Sequence, residues 1–178
     1  MNNSQESEYH SKRNDYQTIE QTMEKLSGGT RRLAAQLTTS ATFDSLWNVL
    51  TDYDRLNLYI PNLLSSKKIY RKDNNVHLKQ VGAQDFLGMK FSAEVTIDLF
   101  EDKEHGILRF NLIKGDFRKF EGSWKIQNIK NTTKNSLIYD LTVQGCQWMP
   151  IGMIEKRLKK DLSENLIAVD RQAKLSEK

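Results

Sequence analysis

Between residues 87 and 101 the chain alternates strictly. Met89, Phe91, Ala93, Val95, Ile97 and Leu99 are apolar, and Lys90, Ser92, Glu94, Thr96 and Asp98 between them are polar. Successive side chains of an extended strand point to opposite faces, so this run has one face for a core and one for water. Wound as a helix, the same residues would scatter their apolar groups around the whole circumference. The period continues on either side. Residues 64–72 and 76–84 read as strands; 106–113 places Leu108, Phe110 and Leu112 on one face; 117–129 groups Phe120, Gly122, Trp124 and Ile126; and 136–146 groups Tyr139, Leu141 and Val143. The joins are short and turn-like: Asp73-Asn74-Asn75, Asp102 to Gly106, Lys114-Gly115-Asp116 and Asn131 to Asn135. Short joins permit antiparallel pairs only, so the six runs form a meander.

Helical periodicity frames this block. Residues 31–38 read as a further strand. Ser40 then stands where an N-cap belongs, ahead of Phe43, Leu46, Trp47 and Leu50 at helical spacing. A second short helix carries Leu56, Tyr59 and Ile60 and stops at Pro61. Pro150 opens a long helix to about residue 173, with Ile151, Ile154, Leu158, Leu162, Leu166 and Val169 on one face and Glu155, Lys156, Arg157, Lys159, Lys160 and Asp161 on the other. The expected order is strand, two short helices, six strands and one long helix, an α+β chain with a curved antiparallel sheet. One helix is too narrow to fill a sheet of that breadth, and the space left between them is a cavity of the kind that takes small molecules.

The first 29 residues differ. Residues 1–14 are polar, without hydrophobic period, and read as a disordered tail. Tyr16, Ile19, Met23 and Leu26 make a stripe spaced 3, 4 and 3, which predicts a short amphipathic helix over 15–29, stopped by Gly28-Gly29. The folded domain is expected over 30–174 and a short tail over 175–178.

Composition excludes several classes. The longest apolar run is four residues, Leu166 to Val169, too short to span a bilayer, and no signal-peptide pattern stands at the start. The reading is therefore cytoplasmic, with peripheral contact at a membrane surface allowed. A single cysteine, Cys146, rules out an internal disulfide. His10, His77 and His105 have no metal-ligand spacing, so neither metal nor cofactor is expected. Asp52 and Asp54 read as a cap and a solvated acid; no catalytic residue is assigned. The net charge is +4; five acids and three bases in residues 1–29 leave −2 there and +6 on the body. The bases are scattered among acids, which disfavours nucleic acid or the ribosome as partner.

Three blocks carry a family resemblance: WNVLTDYDRLNLYIPNL (47–63), GDFRKFEGSW (115–124) and MPIGMIEKRLKKDLSENLIAV (149–169). Together with the element order they resemble the helix-grip superfamily of START, pollen-allergen-type and polyketide cyclase/dehydrase domains. Within it the chain most resembles the coenzyme Q-binding START-like branch, in its cyanobacterial and plastid form. The resemblance implies a helix-grip fold and a hydrophobic ligand, an isoprenoid quinone, lipid, pigment or polyketide, held between sheet and long helix. By parity the cavity residues are expected to be Leu56, Tyr59, Ile60, Phe91, Ala93, Val95, Phe110, Leu112, Phe120, Gly122, Trp124, Tyr139, Leu141, Ile154, Leu158 and Leu162. Gly122 is expected to leave room among the aromatics, and Tyr59 and Tyr139 to offer hydroxyls to a carbonyl. Binding and transfer is the leading reading. A cyclase, aromatase or dehydratase is the alternative from within the superfamily, and an interaction module on the ribosome, RNA or an unnamed protein partner is another. An apolar entrance at Phe86–Met89 and Trp148–Ile151 is weighed against ordinary packing.

Overall fold

The computed structural model describes residues 19–86, 89–146 and 151–178, the side chains of 84–86, 89–91 and 151–154 excepted. Eight strands form one antiparallel sheet: β1 (Ile19–Lys25), β2 (Arg31–Thr39), β3 (Leu63–Lys72), β4 (Asn75–Phe86), β5 (Met89–Asp102), β6 (Ile107–Gly115), β7 (Phe117–Asn128) and β8 (Asn135–Gly145). Their order across the sheet is β1-β2-β8-β7-β6-β5-β4-β3, so the meander closes on β2, and β1 and β3 are the edges. Helix α1 (Phe43–Thr51) follows β2, and helix α2 (Ile151–Ser176) ends the chain. This is the helix-grip α+β arrangement.

Alternation places the core. Val95, Ile97 and Leu99 of β5, Leu108 and Phe110 of β6, and Leu137, Tyr139, Leu141 and Val143 of β8 are buried. Leu162, Leu166, Val169 and Ala173 of α2, one stripe spaced 4, 3 and 4, are almost wholly shielded against them. At about 1.5–3 kcal/mol for each large apolar side chain buried, this stripe is what holds the helix in the sheet. A polar clasp fixes its far end: Asp170, 3% exposed, accepts from the Thr39 hydroxyl and faces Lys174 Nζ at 3.0 Å, while Asn135 Nδ2 donates to Ala41 O over 2.8 Å.

Four expectations are corrected. Over the described part of 15–29, Ile19–Lys25 is a strand paired along its length with β2, Ile19 opposite Leu37 and Lys25 opposite Arg31. A spacing of four residues suits a helix and a strand alike, and the open edge of β2 decides between them. The second short helix is a single 3-10 turn, Leu56–Leu58, because the segment closes on Arg55 and Leu56 carbonyls within a few residues. The cap of α1 is Thr42, whose hydroxyl accepts from Ser45 N, in place of Ser40. Helix α2 runs on to Ser176, so the expected tail at 175–178 is mostly its last turn. Residues 1–14 and the rest of the stripe before Ile19 lie outside the described residues. Among those described, no helix is long and apolar enough to cross a membrane.

Candidate functional site

Between the sheet and α2 lies a cavity of about 340 Å³, at the lower end of the size usual for small-molecule sites. Much of its wall is apolar, with Leu50 of α1, Leu99 of β5, Leu108 of β6, and Leu162 and Val169 of α2. Aromatic rings form one wall. Trp124 and Tyr139 stack face to face with centroids 4.0 Å apart, and Phe110 lies against Phe120, which in turn meets Phe117. Pro61 and Ser92 both line the cavity and are exposed, so the space meets solvent between the turn after α1 and the β4–β5 pair.

The structure brings together Leu56, Ile60, Ala93, Val95, Phe110, Phe120, Trp124, Tyr139, Leu141, Leu158 and Leu162 of the expected residues, all of them on the cavity wall. Three others stand elsewhere. Tyr59 turns its hydroxyl away to donate to Val49 O at 2.6 Å, which serves the α1 corner. Leu112 lies beyond Asn111, where β6 ceases to pair with β7, and a bulge between Thr96 and Ile97 shifts its register; it is half-buried off the cavity. Gly122 sits behind the aromatic wall: a Cβ there would meet Asp140 O at 2.0 Å and the Phe110 ring at 2.9 Å. The glycine lets β7 approach β8 and Phe110, and opens no room for a ligand. The side chains of Phe91 and Ile154, and the entrance segments Phe86–Met89 and Trp148–Ile151, lie outside what the structure describes.

A polar collar was not foreseen. Arg157, Asp161 and Asn165, at i, i+4 and i+8 on α2, all line the cavity, though the sequence stripe assigns Arg157 and Asp161 to the solvent face. Arg157 Nε lies 3.2 Å from Asp161 Oδ1, and Asn62 Nδ2 donates to the same oxygen over 3.3 Å. The Arg157 Nε itself is buried and makes no aligned hydrogen bond. Tyr139, 7% exposed, has no hydrogen-bond partner for its hydroxyl among the described residues. Burial, and next the negative charge of Asp161, push its pKa well above the usual phenol value, so it stays an O–H donor. The missed signal is the i, i+4, i+8 recurrence of polar residues beside the apolar stripe.

Other candidates resolve into structure. Tyr53 donates to Glu101 at 2.6 Å, and Asp54 accepts from Lys68 N at 2.7 Å. The Cys146 thiol donates to Asp116 O.

The sequence pattern of the family described as "Polyketide cyclase / dehydrase and lipid transport" matches residues 39–170. The chain belongs to that family. No curated protein matches it in sequence. Solved structures agree on the fold. The STAR-related lipid transfer protein of Xanthomonas axonopodis superposes with a TM-score of 0.74 at 12% identity, covering 88% of this chain and 93% of that one. Human StAR-related lipid transfer protein 5 gives 0.72 at 8% identity, covering 90% and 84%. The Zhui aromatase/cyclase of Streptomyces sp. R1128 gives 0.68 at 15% identity, covering 84% and 96%. At such identities the likeness shows the START-like fold alone. The family holds hydrophobic-ligand binders and cyclases together, so the cavity must argue which this chain is.

Proposed function

We propose that this protein binds a hydrophobic small molecule, of isoprenoid quinone, lipid, pigment or polyketide type, in the cavity and transfers it. The observation that carries this reading is the cavity wall, formed mostly by alkyl and aromatic side chains from both helices and from β3–β8. Such a wall binds by desolvation, at about 0.8 kcal/mol for each buried CH₂ group, with few polar contacts needed. The resemblance of residues 47–63 and 115–124 to the coenzyme Q-binding branch supports a quinone as occupant. Leu58 and Leu64 are 69% and 62% exposed, immediately beside the lining residues Leu56 and Leu63, which supports transient contact with a membrane surface during exchange.

Organic extraction and mass spectrometry of protein purified gently from its own cells tests the reading. A near-stoichiometric quinone, pigment or lipid is expected. A protein that comes out empty, and takes up none of these on addition, overturns it.

A second reading, an enzyme of cyclase or dehydratase type, is favoured by one observation: the Tyr139 hydroxyl stands free in the cavity under the influence of Asp161. A Tyr139→Phe variant that retains binding but loses turnover of a polyketide would decide for it.

A further inference from the structure

From Arg55 to Lys72 the chain carries five cations, Arg55, Lys67, Lys68, Arg71 and Lys72, and not one acid. The same segment exposes four large apolar side chains, Leu58, Leu64, Ile69 and Tyr70. It comprises the 3-10 turn Leu56–Leu58, the cavity-lining turn Pro61-Asn62-Leu63 and the whole of β3, an edge of the sheet. Basic and apolar groups are therefore concentrated along one rim, and the cavity opens on that rim.

The geometry of β3 presents both kinds of group. The strand is irregular between Leu63 and Ser65 and again between Lys68 and Tyr70, and the residues left without a partner on β4 are Leu64 and Ile69. Bulges take a side chain out of the regular alternation, and these two are 62% and 51% exposed. Arg55 faces Asp52 and Arg71 faces Glu101, but Lys67, Lys68 and Lys72 form no ion pair among the described residues. Such an edge is ill suited to receive another strand. Its bulges break the ladder, its lysines repel a second copy of themselves, and Lys68 N already donates to Asp54 over 2.7 Å. A nucleic acid would use the cations but not the aliphatic side chains, since bases stack on aromatic rings. An anionic bilayer uses both, and a tyrosine suits its interface.

We infer that the rim from Leu58 to Lys72 is a docking surface for an anionic lipid bilayer, with Lys67, Lys68 and Lys72 meeting headgroup phosphates and Leu58, Leu64 and Ile69 entering the interface. The inference rests on the transfer reading above and adds to it the charge of the membrane and the edge of the sheet that meets it. Because Pro61, Asn62 and Leu63 lie within the rim and line the cavity, docking sets the opening against the lipid, and an occupant can pass with little exposure to water.

Flotation of the full chain with vesicles of phosphatidylcholine alone, or of equal parts phosphatidylcholine and phosphatidylglycerol, tests this. Wild type is expected to bind the anionic vesicles about a hundredfold more tightly, and to lose most of that preference in about 0.5 M salt. Lys67→Gln/Lys68→Gln should weaken anionic binding roughly thirtyfold. Lys130→Gln/Lys134→Gln, which removes the same charge from the turn between β7 and β8, should change it little. Leu64→Ser/Ile69→Ser should weaken it about tenfold. Equal binding to the two kinds of vesicle, or equal losses from the two lysine pairs, overturns the inference. So does wild-type binding by Leu64→Ser/Ile69→Ser, the result expected if the surface serves an acidic protein or a nucleic acid through charge alone. Uptake of the apolar dye N-phenylnaphthylamine, followed in every variant, reports an intact cavity and is expected to stay unchanged. Docking that fails while the dye is taken up strikes the inference and leaves ligand binding standing. Docking that succeeds in a protein that takes up no dye strikes the ligand-binding reading and leaves the surface.

Discussion

Asn62 Nδ2 donates to Asp161 Oδ1 over 3.3 Å, joining the turn at the cavity mouth to the long helix on its opposite side. Asn62 holds a left-handed backbone, φ 62°, a conformation asparagine tolerates better than most residues. The bond acts as a catch on the mouth. Asn62→Gly keeps the backbone and removes the catch, so ligand dissociation should quicken about fivefold, read by stopped-flow dye displacement, with little change in Tm. Asn62→Ala should add a stability loss of about 1 kcal/mol from the strained φ, seen in urea unfolding.

Ala93 and Gly122 are both small residues of the central sheet, and they should respond differently. Ala93 lines the cavity, so Ala93→Trp is expected to fill it and abolish dye binding while far-UV circular dichroism stays native. At Gly122 even a methyl group collides with the Asp140 carbonyl. Gly122→Ala should therefore cost about 3 kcal/mol or more in thermal or urea unfolding, whatever its effect on ligand.

Leu58 and Leu64 contribute little to the fold at 69% and 62% exposure. Replacing both with Ser should leave Tm and equilibrium affinity unchanged. Transfer of a fluorescent lipid between vesicles should slow by about tenfold, the order expected from losing two partly inserted leucines. Transfer at the wild-type rate would remove the membrane-contact step from the proposed function.

Acid should loosen the two ends of α2. The Arg31 guanidinium, hydrogen-bonded to Glu155 and helped by Lys25, holds that carboxyl below its ordinary 4.5. At the other end Glu177 is lowered by the Thr42 backbone N–H and then by the Ser45 and Thr42 side chains. Both folded values are depressed, so the stabilisation is present above the ordinary glutamate pKa and disappears as pH falls through the lower folded one. Wild type should exceed Glu155→Gln/Glu177→Gln in Tm near neutral pH, and the gap should close as the pH is taken below the lowered folded-state values. A gap that persists there would assign the difference to causes other than ionisation.

The fold was readable because its pattern is redundant: six strands repeat one period between short turns, and α2 repeats another for seven turns. Where a pattern was brief it failed. Ile19 and Met23 satisfy both periods, and only the unpaired edge of β2, fixed by residues as far away as Val143, makes their segment a strand. The apolar part of the cavity followed from parity along β5, β7 and β8. Its polar part did not, because Arg157 and Asp161 are charged residues on a helix with a clear apolar stripe, and sequence alone sends them to water. They face inward because the sheet is wider than the stripe, so a second column of the helix is covered too. Gly122 shows the complementary limit: its parity was legible, but a clash with Asp140 O depends on how closely two strands approach, which no spacing records.

The pairing of β2 with β8 sets Arg31 opposite Val143, two positions separated by most of the chain. As the chain leaves the ribosome, β2 and α1 are made early and must wait for the whole meander before that pairing can form. The apolar face of the sheet waits longer still, for Leu162, Leu166 and Val169 to emerge in the final helix. Chains halted before residue 151 would present that face uncovered, the state most open to aggregation and to chaperones. A protein whose second and last strands are neighbours thus completes its fold late, and its yield in the cell depends on how quickly the last helix arrives.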